Sequence, residues 1–281
     1  MDWSLVFDFT DYDKLLPLVI NSLIAGALLA LIGGLVGVFV MTRELSFAVH
    51  GIAELSFAGA AIFLLIGMDV VLGSVFGSLI AAAIIAVLGE RAKDRNSIVA
   101  VLMPFGLGIG ILALSLYPGR AANKFGLLTG QIVAVDDPKL ASMAVMTVVV
   151  LLAMLLIWRP LSFASLDPEV AAARGVRVRL LGIVFVILLG IAVAAAVQIV
   201  GALLVLALLV TPAAAALRLS SSQLWVPILS VLFALVAMVG GILLALGGAL
   251  PISPYVTTIS FLIYLIARTI AFTRSRLEVK R

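Results

Sequence analysis

The residues of this chain best suited to chemistry are a histidine and a glutamate four positions apart in an apolar stretch. His50 is the only histidine, and Glu54 follows it in the segment LSFAVHGIAELSFAGAA. On an α-helix this spacing places both side chains on one face, with Cβ atoms about 5–6 Å apart. An imidazole nitrogen and a carboxylate oxygen each reach a zinc-like ion at about 2.0–2.2 Å. The pair predicts a metal contact, with Ser46 one turn earlier as a weaker neighbour.

The same two side chains are also compatible with roles that need no metal. A carboxylate at mid-membrane costs about 3 kcal/mol or more unless it is paired, wet or neutralised. His50 and Glu54 could therefore hydrogen-bond to tie two helices together, or Glu54 could be protonated in a packed interface, or the two could relay protons. As metal ligands they form an incomplete shell, which suits an ion in transit. Water, a second copy of the chain, Gln198 or Asn21 could complete that shell.

The composition places these residues in a membrane protein. Of 281 residues, 64% are hydrophobic and 11% are charged, and the mean hydropathy is +1.34, outside the range of soluble domains. A bilayer core of about 30 Å needs roughly 20 apolar residues per helix. The apolar runs predict nine spans, near 17–41, 46–66, 70–89, 97–117, 140–158, 180–197, 199–217, 223–247 and 254–272. The expected fold is an all-α polytopic membrane protein with one domain over residues 1–281.

The distribution of lysine and arginine predicts the orientation. An external N-terminus and a cytoplasmic C-terminus put only four of the 18 basic residues outside, namely Lys14, Arg120, Lys124 and Lys139. This arrangement gives a short external segment 1–16, a cytoplasmic loop 159–180 and a cytoplasmic basic tail 273–281. The tail is typical of a topology anchor near anionic lipid, and no signal for nucleic-acid binding is present.

A short helix is predicted inside the loop 159–180. Its signals are Asp167 as N-cap, Pro168 and Glu169 in the first turn, the run Ala171, Ala172 and Ala173, and Arg174 before a Gly175 stop. This helix could dock on a partner or simply join two spans. None of the five lysines follows a glycine, so the chain has no phosphate-binding GxxxxGK[ST] loop. If the protein uses ATP, a partner must bind it.

Glycines recur at helix-packing spacing in three groups. Gly33, Gly34 and Gly37 form one group, Gly73 and Gly77 a second, and Gly106, Gly108 and Gly110 a third. Small residues at this spacing let helix backbones approach closely. The alternative is a flexible gate at one of these glycines.

Several segments, in the right order over roughly residues 17–270, resemble the permease subunits of bacterial metal-ion ABC importers for zinc, manganese and iron. LSFAVHGIAELSFAGAA resembles the family's second-helix motif, in which an Asp and a His one turn apart are taken to form the metal path. His50 and Glu54 occupy the matching positions. The other matching segments are DPEVAAARGV for the coupling helix, QIVGALLVLALLVTPAAAALRL for the glycine-to-proline span, LPISPYVTTI for the final out-facing turn and KFGLLTGQIVAVDD for the external loop.

The resemblance implies a type II ABC importer-like permease in the bacterial inner membrane, working as a homodimer. Its partners would be a cytoplasmic ATPase and an external solute-binding protein that delivers the metal. The chain would hold no resident cofactor and hydrolyse no ATP, and the divalent metal is its cargo. Zinc is the expected cargo, with manganese or iron as the alternatives. The residues implied in ATPase coupling are Asp167, Glu169, Ala171, Ala172, Arg174 and Gly175.

Two other classes of membrane protein compete with this interpretation. In an ion-coupled secondary transporter His50 and Glu54 would carry protons, but such folds usually contain several intramembrane acids and repeated broken helices. A membrane-embedded metalloprotease would need an HExxH motif, and the sequence from His50 to Glu54 lacks it.

Overall fold

Every regular element in the described part of the chain is helical, as the sequence predicts. The computed structural model describes residues 12–89, 92–119, 135–247 and 252–279. The elements are α1 (Tyr12–Leu15), a 3-10 turn (Leu16–Val19), α2 (Ile20–Thr42), α3 (Ser46–Leu65), α4 (Val70–Leu88), α5 (Ala92–Leu116), α6 (Asp137–Leu166), α7 (Pro168–Ala173), α8 (Val178–Leu219), α9 (Trp225–Leu246) and α10 (Ile252–Val279).

The long helices coincide with the apolar runs of the sequence. Within the described ranges, eight helices are long and apolar enough to cross a membrane, and Leu204–Leu219 is a ninth, shorter apolar helix. The nine spans and their orientation stay a prediction. The boundary predicted between the spans 180–197 and 199–217 is displaced to Gly201, where α8 breaks with φ 75° and ψ 163°. Only glycine adopts this backbone conformation readily, so the break occurs at Gly201 and the helix continues through Gln198.

Two helices are longer than the sequence predicts. Helix α6 continues past the expected end at 158 to Leu166, so the first part of the loop 159–180 is helical. The dipeptide Arg159–Pro160 favours a helix boundary, but buried Leu161 and Ala164 continue the packed face beyond it. Likewise, α10 takes in the predicted tail 273–281 as far as Val279. Most of the predicted external loop, and residues 1–11 of the N-terminal segment, lie outside the described residues.

The described residues form two compact units. One comprises residues of Met1–Met41, Ile132–Ala141 and Ala207–Arg281, and the other comprises residues of Thr42–Gln131 and Ser142–Leu206. In the first unit Gly34 faces the Val231 backbone, and the Ser230 hydroxyl donates to the Gly34 carbonyl oxygen at 2.7 Å. A cluster of small and branched side chains extends this core, made of Val38, Ala213, Ala216 and Val226.

In the second unit, glycines bring α4 and α5 against α3. Gly59 of α3 faces Gly73 and Gly77 of α4, so the two backbones touch without intervening side chains. On the other side, Gly106 and Gly110 of α5 face α3 as well. The predicted close packing is confirmed for Gly73, Gly77, Gly106 and Gly110, whereas a Cβ atom at Gly108 would meet nothing within 4 Å.

Candidate functional site

His50 and Glu54 lie on one face of α3, as their spacing predicts. His50 Nε2 is 3.8 Å from Glu54 Oε1, which is beyond hydrogen-bonding distance. Glu54 is buried, with only 4% of its surface exposed, and His50 is half-buried. The two side chains therefore converge from a single helix, close enough for one ion to contact both.

The pair also carries polar atoms that the surrounding protein leaves unsatisfied. His50 Nδ1 and Glu54 Oε2 are buried and have no hydrogen-bond partner among the described residues. A buried polar atom without a partner costs about 1–3 kcal/mol, and more when the group is charged. These atoms do not form a bond that ties α3 to another described helix, which weighs against a purely structural role. A bound cation would satisfy the carboxylate.

The backbone that carries the pair is held from both sides. A Cβ atom at Gly106 would come within 3.0 Å of the Glu54 carbonyl carbon, so α5 approaches the α3 main chain at that residue. On the α4 side, Ser56 Oγ and Ser74 Oγ are 2.7 Å apart, and Ser74 Oγ donates to the Ala194 carbonyl oxygen at 3.4 Å. These contacts join α3, α4 and α8 and support the part of α3 that carries His50 and Glu54.

The other expected ligands have different surroundings. Ser46 is the first residue of α3 and is half-buried one turn before His50. Gln198 is buried in the same unit, and its Nε2 has no hydrogen-bond partner among the described residues. Asn21 lies in the other unit, where Nδ2 donates to Asp137 Oδ1 at 2.8 Å and to the Val135 carbonyl oxygen at 3.3 Å. The Asn21 amide is therefore engaged by neighbours in its own unit.

The predicted short helix is present as α7, and both of its ends follow the sequence signals. Asp167 Oδ1 accepts a hydrogen bond from the Val170 amide at 2.9 Å, and Pro168 is the first helical residue. The helix ends at Ala173, and Gly175, just after the C-cap residue Arg174, has a left-handed φ of 85°. The Gly175 amide donates to the Ala172 carbonyl oxygen at 2.9 Å.

One residue of the expected coupling surface is not available for docking. Ala171 is fully buried within the chain, because one alanine of a helical run of three turns inward. Val170, Ala172 and Ala173 are exposed and define the outer face of α7. Glu169, Arg174 and Gly175 are exposed as well.

A set of contacts that sequence reasoning missed lies between α2 and α3. Arg43 Nη1 donates to Ser165 Oγ at 3.1 Å, and Arg95 Nη2 donates to the carbonyl oxygens of Arg43 and Glu44 at 3.3 and 3.2 Å. In the sequence, Arg43 and Arg95 are simply two of the basic residues on the predicted cytoplasmic side. Their bonds join residues 52 and 122 positions apart, and no local pattern carries that information.

The whole-chain comparison decides the family. The sequence profile of the ABC 3 transport family matches residues 16–271. This chain belongs to that family. It is thus a multi-pass permease of the bacterial inner membrane and the transport component of an ABC transporter, and the resemblance drawn from its motifs is confirmed.

Individual relatives cover most of the chain. It is 27% identical over 223 residues to the manganese transport system membrane protein MntC of Halalkalibacterium halodurans, covering 79% of this chain and 76% of the relative. It is 28% identical over 222 residues to the manganese import system permease protein ScaB of Streptococcus parasanguinis, covering 79% of each. The fold matches a chain of PsaBC from Streptococcus pneumoniae in complex with Fab, with a TM-score of 0.85, 24% identity and coverage of 97% and 100%.

Proposed function

We propose that this chain is the permease subunit of an ATP-driven importer of divalent transition-metal ions, and that the ion passes His50 and Glu54. The observation that carries the proposal is the pair of buried, unsatisfied atoms, His50 Nδ1 and Glu54 Oε2, on one helix face. An anionic oxygen beside an imidazole is a donor set for zinc, manganese or iron. With two protein ligands the site is incomplete, so it can release the ion it binds.

We propose manganese as the principal cargo, in place of the zinc that the sequence analysis favours. MntC and ScaB, which this chain covers over more than three quarters of their lengths, are both named for manganese. The ligand types alone do not select between the two ions. A given site of nitrogen and oxygen ligands binds zinc more tightly than manganese, so zinc is expected to compete with manganese for entry.

The ATP-driven mechanism requires partners beyond this chain. We propose a cytoplasmic ATPase that docks on the outer face of α7, an external solute-binding protein that delivers the ion, and a second copy of the permease. Helix α7 suits docking because it is capped at both ends and exposes apolar and small side chains between charged ones.

The test is metal uptake into proteoliposomes that contain the permease with its ATPase and binding protein. His50→Ala and Glu54→Gln should each reduce manganese uptake to below about one tenth of the wild-type rate, since losing one of two protein ligands of a bound cation costs more than a factor of ten. The same charge change at Glu278, in the last turns of α10, is the control and should leave uptake unchanged.

Stability separates transport from folding in this test. Glu54→Gln removes a buried charge without a hydrogen-bond partner, so the free energy of unfolding should stay equal or rise. Loss of uptake together with a lower melting temperature and a disassembled complex would instead indicate a structural role. Uptake that continues without ATP hydrolysis but stops with a protonophore would point to the ion-coupled class of transporter and contradict the proposal.

A further inference from the structure

A hydrogen-bonded arginine joins the turn before α3 to the end of α6. Arg43 Nη1 donates to Ser165 Oγ at 3.1 Å, and Ser165 Oγ donates to the Leu161 carbonyl oxygen at 2.7 Å. Ser165 lies two residues before Asp167, the N-cap of α7. The turn that starts α3 is therefore bonded directly to the segment that leads into α7.

The same guanidinium lies against the segment that leaves α7. A Cβ atom at Gly182, in the second turn of α8, would come within 3.3 Å of Arg43 Nη2. Arg43 thus hydrogen-bonds to Ser165 before α7 and lies close to Gly182 after it. A displacement of α7 that carries its flanking helices with it must act on this side chain.

A second arginine holds the turn itself. Arg95 of α5 donates to the carbonyl oxygens of Arg43 and Glu44. Glu44 has a φ of 56°, a left-handed conformation that is uncommon for a residue other than glycine and persists only with support from its surroundings. The next residue, Leu45, is buried, and α3 begins immediately after it, one turn before His50.

The cluster brings the Arg43 and Arg95 guanidinium groups near each other and partly out of water, with the Glu44 carboxylate acting on Arg95 in the opposite sense. Burial, and then the neighbouring charge of Arg95, lower the pKa of Arg43. Two like charges drawn together and partly out of water are costly. A basic residue that served only to orient the chain in the membrane would need neither this burial nor this proximity.

We propose that Arg43 is a positioning residue that transmits movement of α7 to α3 and so to His50 and Glu54. This inference rests on the proposed function, because that function assigns the ATPase to α7 and the metal to α3. The guanidinium is bonded to Ser165 on one flank of α7 and lies close to Gly182 on the other. Movement of the flanks in one direction therefore pulls it through Ser165, and movement in the other direction pushes Gly182 against it.

The test measures metal uptake and ATP hydrolysis in the same assembled complex. Ser165→Ala and Arg43→Gln should each lower the metal moved per ATP hydrolysed about tenfold, the factor for losing a hydrogen bond to a charged group, while hydrolysis stays within about twofold. The double variant should lose no more than Arg43→Gln alone, because the two residues share one bond. The control is Ser115→Ala, since Ser115 Oγ likewise donates to a carbonyl oxygen of its own helix, that of Leu112 at 2.7 Å, and no arginine of the described residues bonds to it.

Unchanged metal per ATP in both single variants would overturn the proposal. So would an equal loss of uptake and hydrolysis with a disassembled complex, because Arg43 would then be only part of the structure. Amide hydrogen exchange over residues 44–50 supplies a readout that needs no metal. A non-hydrolysable ATP analogue should alter this exchange in the wild-type complex and leave it unaltered in Ser165→Ala.

This second readout separates the two proposals. If the wild-type complex moves no metal but shows the nucleotide-dependent exchange, and Ser165→Ala does not show it, the proposed function fails and the link through Arg43 stands. If the wild type moves metal and the exchange changes equally in wild type and Ser165→Ala, the link through Arg43 fails and the function stands.

Discussion

Glycine at position 106 determines how closely α5 approaches the backbone of Glu54. An added Cβ atom there would lie 2.7 Å from Leu55 Cδ1 and 3.0 Å from the Glu54 carbonyl carbon. Because main-chain atoms cannot move aside as a flexible side chain does, Gly106→Ala should push α5 away from α3. We expect a loss of about 1–3 kcal/mol in the free energy of unfolding, and slower metal uptake, measured by thermal unfolding in detergent and by transport.

Gly108 is the matched control for that change. It lies two residues along the same helix, and a Cβ atom at this position would meet nothing within 4 Å. Replacing a helix-interior glycine with alanine favours the helix by about 1 kcal/mol, so Gly108→Ala should leave uptake intact and raise stability slightly. Equal behaviour of the two variants would show that the contact at Gly106 has no special importance.

At this residue scale, sequence reasoning reaches the pairs that are close along the chain. The four-residue spacing of His50 and Glu54 is enough to place them on one face, because helical geometry alone requires it. Their unsatisfied atoms could not be foreseen, since these depend on which side chains other helices bring near. For the same reason Gly106 and Gly108 look alike in the sequence but differ in the fold.

Among the elements, α7 is the one whose end can be perturbed without touching the core. Gly175 has a φ of 85°, and its amide and that of Val176 bond back to Ala172 and Ala171. A β-branched residue in this left-handed conformation costs about 1–2 kcal/mol. Gly175→Val should therefore disturb the end of α7 and reduce co-purification of the ATPase, with normal amounts of permease in the membrane.

The chain contains a matched control for this change at the end of α3. Gly67 has a φ of 74°, and its amide and that of Met68 bond back to Leu64 and Phe63 in the same pattern. Gly67→Val carries the same backbone strain at the predicted external face, so it should spare ATPase binding. Ala172→Glu, on the exposed face of α7, should weaken ATPase binding without strain. Normal pull-down and uptake in both α7 variants would mean that α7 is only a connector.

The ends of elements are predictable where a capping residue decides them. Both ends of α7 can be predicted from Asp167, Pro168 and Gly175, because each of these residues acts on the backbone within one helical turn of itself. The end of α6 does not follow from the sequence, because burial of Leu161 beyond Pro160 is a tertiary effect. Similarly, α8 breaks at Gly201, and the sequence does not indicate which of the glycines in this helix permits the break.

For the molecule as a whole, the testable quantity is the orientation in the membrane. The asymmetric distribution of basic residues predicts an external N-terminus and a cytoplasmic C-terminus. The sequence has no cysteine, so a single introduced cysteine reports only its own position. In intact cells an impermeant thiol reagent should label Thr10→Cys and leave Ser275→Cys unlabelled.

The reverse labelling pattern would contradict the orientation, and with it the cytoplasmic location of α7. A permeant thiol reagent serves as the control, because it should label both variants and so exclude a reactivity difference between the two sites. If both positions react with the impermeant reagent, the two ends lie on the same side and the number of spans is even.

The class of fold is the property that the sequence predicts best, because apolar runs long enough to cross a bilayer allow few structures other than helices. The eight long apolar helices and the shorter one match those runs in order. The grouping of the described residues into two units is not visible in the sequence, since each unit combines segments far apart along the chain.

The position of Arg43 between the two flanks of α7 has a consequence for how the ATPase and the ion influence each other's binding. Thermodynamic coupling between two sites is reciprocal. If nucleotide binding to the ATPase changes the affinity of α3 for the ion, then ion binding changes the affinity of the ATPase for nucleotide. An ion held by His50 and Glu54 would stiffen α3 and bias the position of α7. The permease would then act as a cargo sensor, in which ion bound at α3 and nucleotide bound to the ATPase change each other's affinity by the same factor.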